Sequence, residues 1–335
     1  MENISTVILL GNGYDVAYGY CTKYSDFYLD ELFLELCKTP NDLAKFIKKA
    51  NEEKGKELWS DLEEELYKYS LALTNVKNNG DPCNLRLANK NDIFKLTDTE
   101  KKILSANNFY KDFNEIQDCL GKFIIKKTDH SQPILSDNYD NLRNLANEWL
   151  NENGKTLVIS FNYTNLFWGR HSNSDVLYVH GTIHQLQSKH RGSYELEPTG
   201  IYKSHNIVLG IDESMNVETD HSFLYKAYNE STNIHNLASV LKNAKRYIIF
   251  GCSLGESDRW YFEKIFNKEQ SGKFYEIYYY GTSGQLNINS RIKDISKASI
   301  ADFKERNNVL YLDSSDIEKA MEKRRDYYIR FPYNF

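Results

Sequence analysis

The sequence predicts an α/β fold: a doubly wound, mostly parallel sheet with a large helical insertion after its first strand. Three observations predict it. Thr6 to Leu10, in "STVILLGNGYD", is a short unbroken apolar run closed by glycine, the pattern of a strand buried on both faces of a parallel sheet. Residues 24–153 then carry apolar side chains mostly at helical spacing. From residue 154 onward strand-like runs alternate with helical ones, as parallel crossover units require. The expected organisation is one unit made of residues 1–23 and 154–335, interrupted by a helical insertion of residues 24–153.

Each element has its own signal. In "ELWSDLEEELYKYSLAL" the residues Trp59, Leu62, Leu66 and Tyr69 share one helical stripe. Phe109, Phe113, Ile116, Leu120 and Phe123 repeat in the same way, as do Leu142, Leu145, Ala146 and Trp149. Between the first two helices, "NVKNNGDPCNLRLANKND" is rich in Asn, Gly and Pro and reads as a surface loop. In the second half "KTLVIS", "VLYVH", "HNIVLGID", "KRYIIFG", "YEIYYYG" and "NVLYLD" read as strands. Helical segments are expected around Phe223 and Leu237, over "ESDRWYFEKIF" and before the last strand. The terminal "DSSDIEKAMEKRRDYYIRF" reads as a closing helix with a solvated charged face.

Composition narrows the function classes. With 335 residues, 41% hydrophobic and 27% charged, the chain can bury a large core and is expected to be globular throughout. The net charge of −5 gives no global attraction to nucleic acid, so such a partner is not indicated, although a local basic patch stays open. Five scattered cysteines (Cys21, Cys37, Cys83, Cys119, Cys252) form no Cys-x-x-Cys pair, which offers neither a zinc nor a redox motif and fits a reducing cytoplasm. There is no signal-peptide pattern at Met1 to Leu10 and no run of 18 apolar residues, so no membrane association is expected.

In an open α/β sheet, ligands sit beyond the carboxyl ends of the strands. Here those positions hold Gly11, Asn12, Gly13 and Asp15; Ser160, Asn162, Tyr163, Thr164 and Asn165; His180 and Gly181; and Gly251, Cys252, Ser253, Gly255, Glu256, Ser257 and Asp258. Gly11 and Gly13 match the first two positions of a dinucleotide fingerprint, but Val16 occupies the third, so phosphate binding and a plain strand-to-helix turn both stay open. Asp15 suits a helix N-terminus yet would repel a phosphate beside it; a ribose hydroxyl or a neighbouring loop are its alternative partners. If "TLVIS" and "VLYVH" are parallel neighbours, their connection is about the dozen residues a crossover needs, and Asn162 and His180 emerge side by side. His180 can then act as a general base and Asn162 can orient water or a ribose, or the pair can merely cap and tie its own loops. Ser253, Gly251, Gly255 and Asp258 carry the same ambiguity between ligand contact and helix start. Cys252 reads as a small packed residue rather than a nucleophile, and Asp61 and Glu63 read as solvated unless their helix covers the sheet edge. On this reading residues 1–23 and 154–335 form a Rossmann-like nucleotide-binding domain.

Taken in order, "ILLGNGYDVAYG", "WSDLE", "ISFNYTN", "YVHGTI", "VLGID" and "IIFGCSLGESD" resemble the bacteriophage abortive infection AbiH family over nearly the whole chain. That family in turn looks distantly sirtuin-like. "SFNYT", "HG" and "GCSL" follow the order of the sirtuin Thr-Gln-Asn-Ile-Asp, His-Gly and Gly-Thr-Ser-Leu segments, which places Asn162 and His180 on the catalytic asparagine and histidine positions. Thr164 replaces the aspartate of the first segment, "GNGYD" replaces the sirtuin Gly-Ala-Gly-Ile-Ser, and no zinc-binding cysteine quartet is present, which argues against a protein deacylase and leaves no zinc expected.

What the resemblance implies is a cytoplasmic antiphage effector that binds NAD, or a related nucleotide, and hydrolyses it through an oxocarbenium-like transition state. A phage-derived trigger and a homo-oligomer are compatible partners. Gly11, Asn12 and Gly13 would meet the phosphates, Asn162 the ribose or water, His180 would be the base, and Ser160, Thr164, Gly251, Ser253, Gly255 and Asp258 would line the remainder. Two other classes compete: a nucleotide sensor that signals to a partner without cleavage, and a metal-dependent nuclease using Asp15, Glu63 and Asp258 as ligands. The nuclease needs at least two of those carboxylates within metal-bridging reach.

Overall fold

The computed structural model describes residues 4–54, 61–79, 85–86, 93–94, 108–128, 138–150, 155–164, 174–181, 183, 207–226 and 237–331. Six parallel strands form one sheet: β1 (Ile4–Leu10), β2 (Lys155–Ser160), β3 (Ser174–Tyr178), β4 (Arg246–Phe250), β5 (Phe274–Tyr279) and β6 (Asn308–Asp313), in the order β3-β2-β1-β4-β5-β6. The chain runs outward from β1 to β3, then returns to the other side of β1 and runs outward again. The strand order therefore reverses between β1 and β4, where open α/β sheets leave a crevice for a ligand.

Register decides what meets at that crevice. Leu10 pairs with Ser160 and with Phe250, and Ser160 pairs with Tyr178, so the ends of β1 to β4 lie in one row. The residues that follow Leu10, Ser160, Tyr178 and Phe250 leave the sheet at the same edge.

The sheet is apolar on both faces because its strands alternate between two cores. Val7, Leu9, Leu157, Ile159, Tyr247 and Ile249 face the helices α8 (Leu237–Asn243), α9 (Arg259–Ile265), α10 (Gly281–Ser296) and α11 (Ile300–Arg306). Ile8, Leu10, Val158, Ile248 and Phe250 face α7 (Tyr139–Leu150) and α12 (Ile317–Arg330), together with Tyr14 of the short α1 (Asn12–Ala17). A third core lies among α2 (Tyr24–Leu29), α3 (Glu31–Leu36), α4 (Asp42–Lys54), α5 (Leu62–Asn79) and α6 (Phe109–Thr128), all between β1 and β2 in the chain.

Several sequence expectations shift in detail. "HNIVLGID" does not become a strand of the sheet: Ile207, Leu209 and Ile211 are buried in the helical core, and residues 207–211 make only the bridges Gly181 to Ile207 and Ile211 to Tyr225. Helix α5 continues through "NVKNN" to Asn79, and Leu85–Arg86 pairs antiparallel with Ile93–Phe94 within the stretch expected to be a loop. Trp59, Cys83 and Asn165 lie outside the described residues.

The closing helix is present as α12, but its charges are not all solvated. Arg324 is buried and donates from Nε to Oε1 of Glu276, 2.8 Å away in the middle of β5. Glu276 also receives Arg246, Trp149, Tyr278 and Tyr328, and although burial works against its charge, Arg324 and Arg246 hold the carboxyl down to about 2. A buried carboxylate with that many donors is fully satisfied, so it clamps α7 and α12 onto the sheet.

Candidate strand-end site

Three groups form where β1 to β4 end. The first is backbone against backbone. Gly11 N–H donates to the carbonyl of Phe250 at 2.9 Å, and Gly13 N–H donates to that of Gly251 at 3.1 Å. A Cβ on Gly11 would lie 2.4 Å from Gly251 O, one on Gly13 would lie 2.6 Å from Gly251 Cα, and Gly251 itself sits at φ +68°. The glycines permit a close approach, as their spacing suggests, but the backbone they approach is that of β4, and both of their N–H groups are already donated to it. Asn12 is also spoken for: its Nδ2 donates to Thr22 O at 3.1 Å, and its Oδ1 accepts from the Thr22 hydroxyl at 2.6 Å.

The second group is centred on Asp15, in α1, which is 1% exposed. Asn162 Nδ2 donates to Asp15 Oδ1 and Thr164 Oγ1 donates to Asp15 Oδ2, both at 2.8 Å. Ser160 holds the base of this loop by accepting the Asn162 N–H on Oγ at 3.2 Å. Burial raises the Asp15 carboxyl to about 7 despite the bonds from Thr164 and Asn162, which pull it down. Asn162 Oδ1 is buried and makes no hydrogen bond among the described residues. A buried carbonyl left without a donor is costly, so this acceptor marks a place where a ligand or water belongs.

The third group is ionic. His180 Nε2 lies 2.8 Å from Asp258 Oδ1. Lys226 Nζ stands 3.0 Å from the same oxygen, 3.0 Å from His180 Nε2 and 2.7 Å from Glu63 Oε1. Burial opposes the Lys226 charge, but Asp258 and Glu63 raise its pKa; burial likewise opposes the Asp258 charge, but Lys226 and His180 hold it well below the usual carboxylate range. Nε2 thus faces both an acceptor, the Asp258 carboxylate, and a donor, the Lys226 ammonium. In the tautomer whose ring hydrogen is on Nε2 and donated to Asp258, the lone pair lies on Nδ1, which makes no hydrogen bond among the described residues. His180 is 6% exposed, between the rings of Phe161 and Tyr163 at 5.6 and 5.9 Å.

Helix α5 covers this edge, and Asp61 and Glu63 are not solvated. Asp61 caps α5 by accepting the Glu63 N–H at 3.0 Å, and its other oxygen faces Gly255, 3.9 Å from where a Cβ would stand. Burial and the Glu63 charge raise the Asp61 carboxyl to about 7. Across Gly255, Ser253 is exposed and Ser257 buried. Cys252 is packed, its thiol pushed up by burial.

The structure thus brings Asp15, Asn162 and Thr164 together, and separately His180 and Asp258. Lys226 escaped the sequence reading because "FLYKAY" has no periodicity that marks its lysine. Asp15 is engaged with Asn162 and Thr164, whereas Glu63 and Asp258 are bridged by the Lys226 ammonium. Among the described residues no three His, Cys, Asp or Glu side chains are grouped as metal ligands. None of the described helices is long and apolar enough to cross a membrane.

The fold and site define an α/β protein with a buried polar cluster at the switch point of a parallel sheet. The family model for bacteriophage abortive infection AbiH matches residues 7–280, and the chain belongs to that family, which places it in antiphage defence. Comparison with curated proteins and with solved structures gave no match.

Proposed function

We propose that this AbiH-family protein binds NAD, or a related nucleotide, at the strand-end site and hydrolyses the bond between nicotinamide and ribose. The observation that carries the reading is a pair of atoms at one sheet edge that make no hydrogen bond among the described residues: Nδ1 of His180, whose Nε2 is held against Asp258 and Lys226, and Oδ1 of buried Asn162. In the reaction the C–N bond to nicotinamide breaks and the ring leaves with the electron pair. A water oxygen bonds to the same ribosyl carbon and gives its proton to His180 Nδ1. Asn162 Oδ1 accepts from a ribose hydroxyl and holds that carbon in place. General-base assistance of this kind contributes about a hundredfold to ten-thousandfold.

The test is incubation of purified protein with NAD, with and without phage lysate, and chromatography of released nicotinamide. Release by the wild-type chain that falls in both His180→Ala and Asn162→Ala supports the assignment. Equal release by both variants removes these residues from the reaction, and no release under either condition removes the hydrolysis.

One contact favours a sensor as the second reading. Glu63 reaches from α5 to Lys226, so the helical core touches the His180 cluster directly and can feel its occupancy. Intact NAD recovered in stoichiometric amount after calorimetry would favour this over hydrolysis. Against a nuclease stands the Lys226 ammonium, which lies between Glu63 and Asp258, the two carboxylates that would have to share a metal.

A further inference from the structure

We propose that Asp15 is a positioning residue that fixes the polarity of Asn162, so that the amide meets its ligand as an acceptor and never as a donor. Asn162 and Asp15 are 147 positions apart in the chain, yet the Asn162 Nδ2 group is donated inward to Asp15 Oδ1 at 2.8 Å. The second carboxylate oxygen is taken by the Thr164 hydroxyl at 2.8 Å, so the carboxylate cannot rotate without losing a bond. An asparagine amide can flip end for end with little change of shape, and only its partners decide which end faces out. Above about pH 7, where the Asp15 carboxyl is ionised, it accepts and cannot donate, so Nδ2 is held inward and Oδ1 outward. Oδ1 is buried and has no partner among the described residues.

The ligand group at this point is therefore a hydrogen-bond donor, a hydroxyl or an N–H, and not a phosphate oxygen or a carbonyl. Under the proposed function it is a ribose hydroxyl; the inference rests on that reading only for the identity of the ligand.

Asp15→Leu tests the polarity with a side chain of similar branched shape. It leaves the Asn162 amide no inward acceptor, so either end of it can face outward, whereas Asp15→Asn could keep an oxygen towards Asn162 by turning its NH2 to the Thr164 hydroxyl. The double variant Asp15→Asn with Asn162→Asp restores an inward donor and an outward acceptor by exchanging the two side chains. Two readouts are taken: nicotinamide release from NAD, and protection of cells against a phage that the wild-type chain restricts, at matched expression.

The single variant is expected to lose about tenfold to a hundredfold in kcat/KM, mainly through KM, and to lose protection. The double variant is expected to regain at least about tenfold of this and to restore protection. Thr164→Val, which removes one tether, should fall in between.

Wild-type behaviour of Asp15→Leu in both readouts overturns the inference. So does a double variant that melts like the wild type but stays as inactive as the single one. If the double variant does not fold, the single variant decides: an unchanged KM, with kcat reduced only in proportion to the folded fraction, assigns Asp15 a purely structural part and overturns the inference. Protection that is lost and regained as expected while the wild type releases no nicotinamide supports the positioning role and removes the NAD reading.

Discussion

His180 Nε2 and Asp258 Oδ1 are 2.8 Å apart although 78 positions separate them in the chain. The contact joins the turn after an edge strand, β3, to the turn after β4 on the far side of β1, and so spans the row of four strand ends. Asp258→Asn keeps the shape but removes the charge that favours a hydrogen on Nε2, while Lys226 still donates towards that nitrogen, so the ring hydrogen moves to Nδ1 and the lone pair is lost from the proposed base. Nicotinamide release is expected to fall about a hundredfold or more, with an unchanged far-UV spectrum. Release within a few-fold of wild type would show that Nδ1 is not the base.

Lys226 holds a different balance. It neutralises Glu63 and Asp258 in a buried setting, and removing one member of such a group leaves uncompensated charge, which costs about 3–5 kcal/mol. Lys226→Met should therefore lower stability in urea by that order at pH 7. The deficit should shrink as the pH falls, because the stranded carboxylates can then take up protons. A loss independent of pH would point to packing rather than charge.

The glycines at the crevice make a third expectation. Gly13→Ala would drive a Cβ to 2.6 Å from Gly251 Cα, and Gly251→Ala would place one 2.5 Å from Tyr14 N at a φ of +68°. Both neighbours are backbone, which cannot swing aside, so each variant should lose about 1–3 kcal/mol or more in thermal or urea unfolding. Gly272 is a useful comparison: its φ is +67° but nothing lies within 4 Å, so Gly272→Ala carries the backbone strain alone and should cost less.

Most of the sheet was legible in the sequence because β1, β2, β4 and β6 carry unbroken apolar runs, and β5 is an apolar run broken only by Glu276, the pattern of strands buried on both faces. Residues 207–211 defeated the same rule. Ile207, Leu209 and Ile211 have a strand pattern, but the surface they bury is that of the helical core, and sequence pattern does not say which core a strand-like segment will join. Arg324 looked solvated because a charge run gives no sign that one member faces Glu276, 48 residues earlier in the chain. At the site, chain spacing brought Asn162 and His180 to adjacent strand ends, since that follows from register. The side-chain partners Asp15 and Lys226 follow from three-dimensional approach across the sheet edge, and no spacing encodes it.

The burial of Asp15 gives a pH dependence of defined sign. Its carboxyl is raised from 3.8 to about 7 by desolvation. Well below pH 3.8 the group is neutral in both the folded and the unfolded chain. Between 3.8 and about 7 the unfolded chain ionises while the folded one keeps its proton, so folding stability falls as the pH rises and levels off above about 7. The full span of that rise corresponds to about 4 kcal/mol. Asp61, also raised to about 7, acts over the same window, whereas Asp258 and Glu276 are held below it. Asp15→Asn removes the contribution of Asp15 in this window and leaves those of the other raised carboxyls, Asp61 among them. Urea unfolding at pH 5 and pH 8 should show a smaller difference for the variant than for the wild type, and at pH 8 the variant should be the more stable protein. A variant less stable than wild type at pH 8 would mean that the bonds from Asn162 and Thr164 outweigh the desolvation of the charge. In that case the wild-type carboxylate would already be ionised well below pH 7, and the activity of the site should show no inflection there.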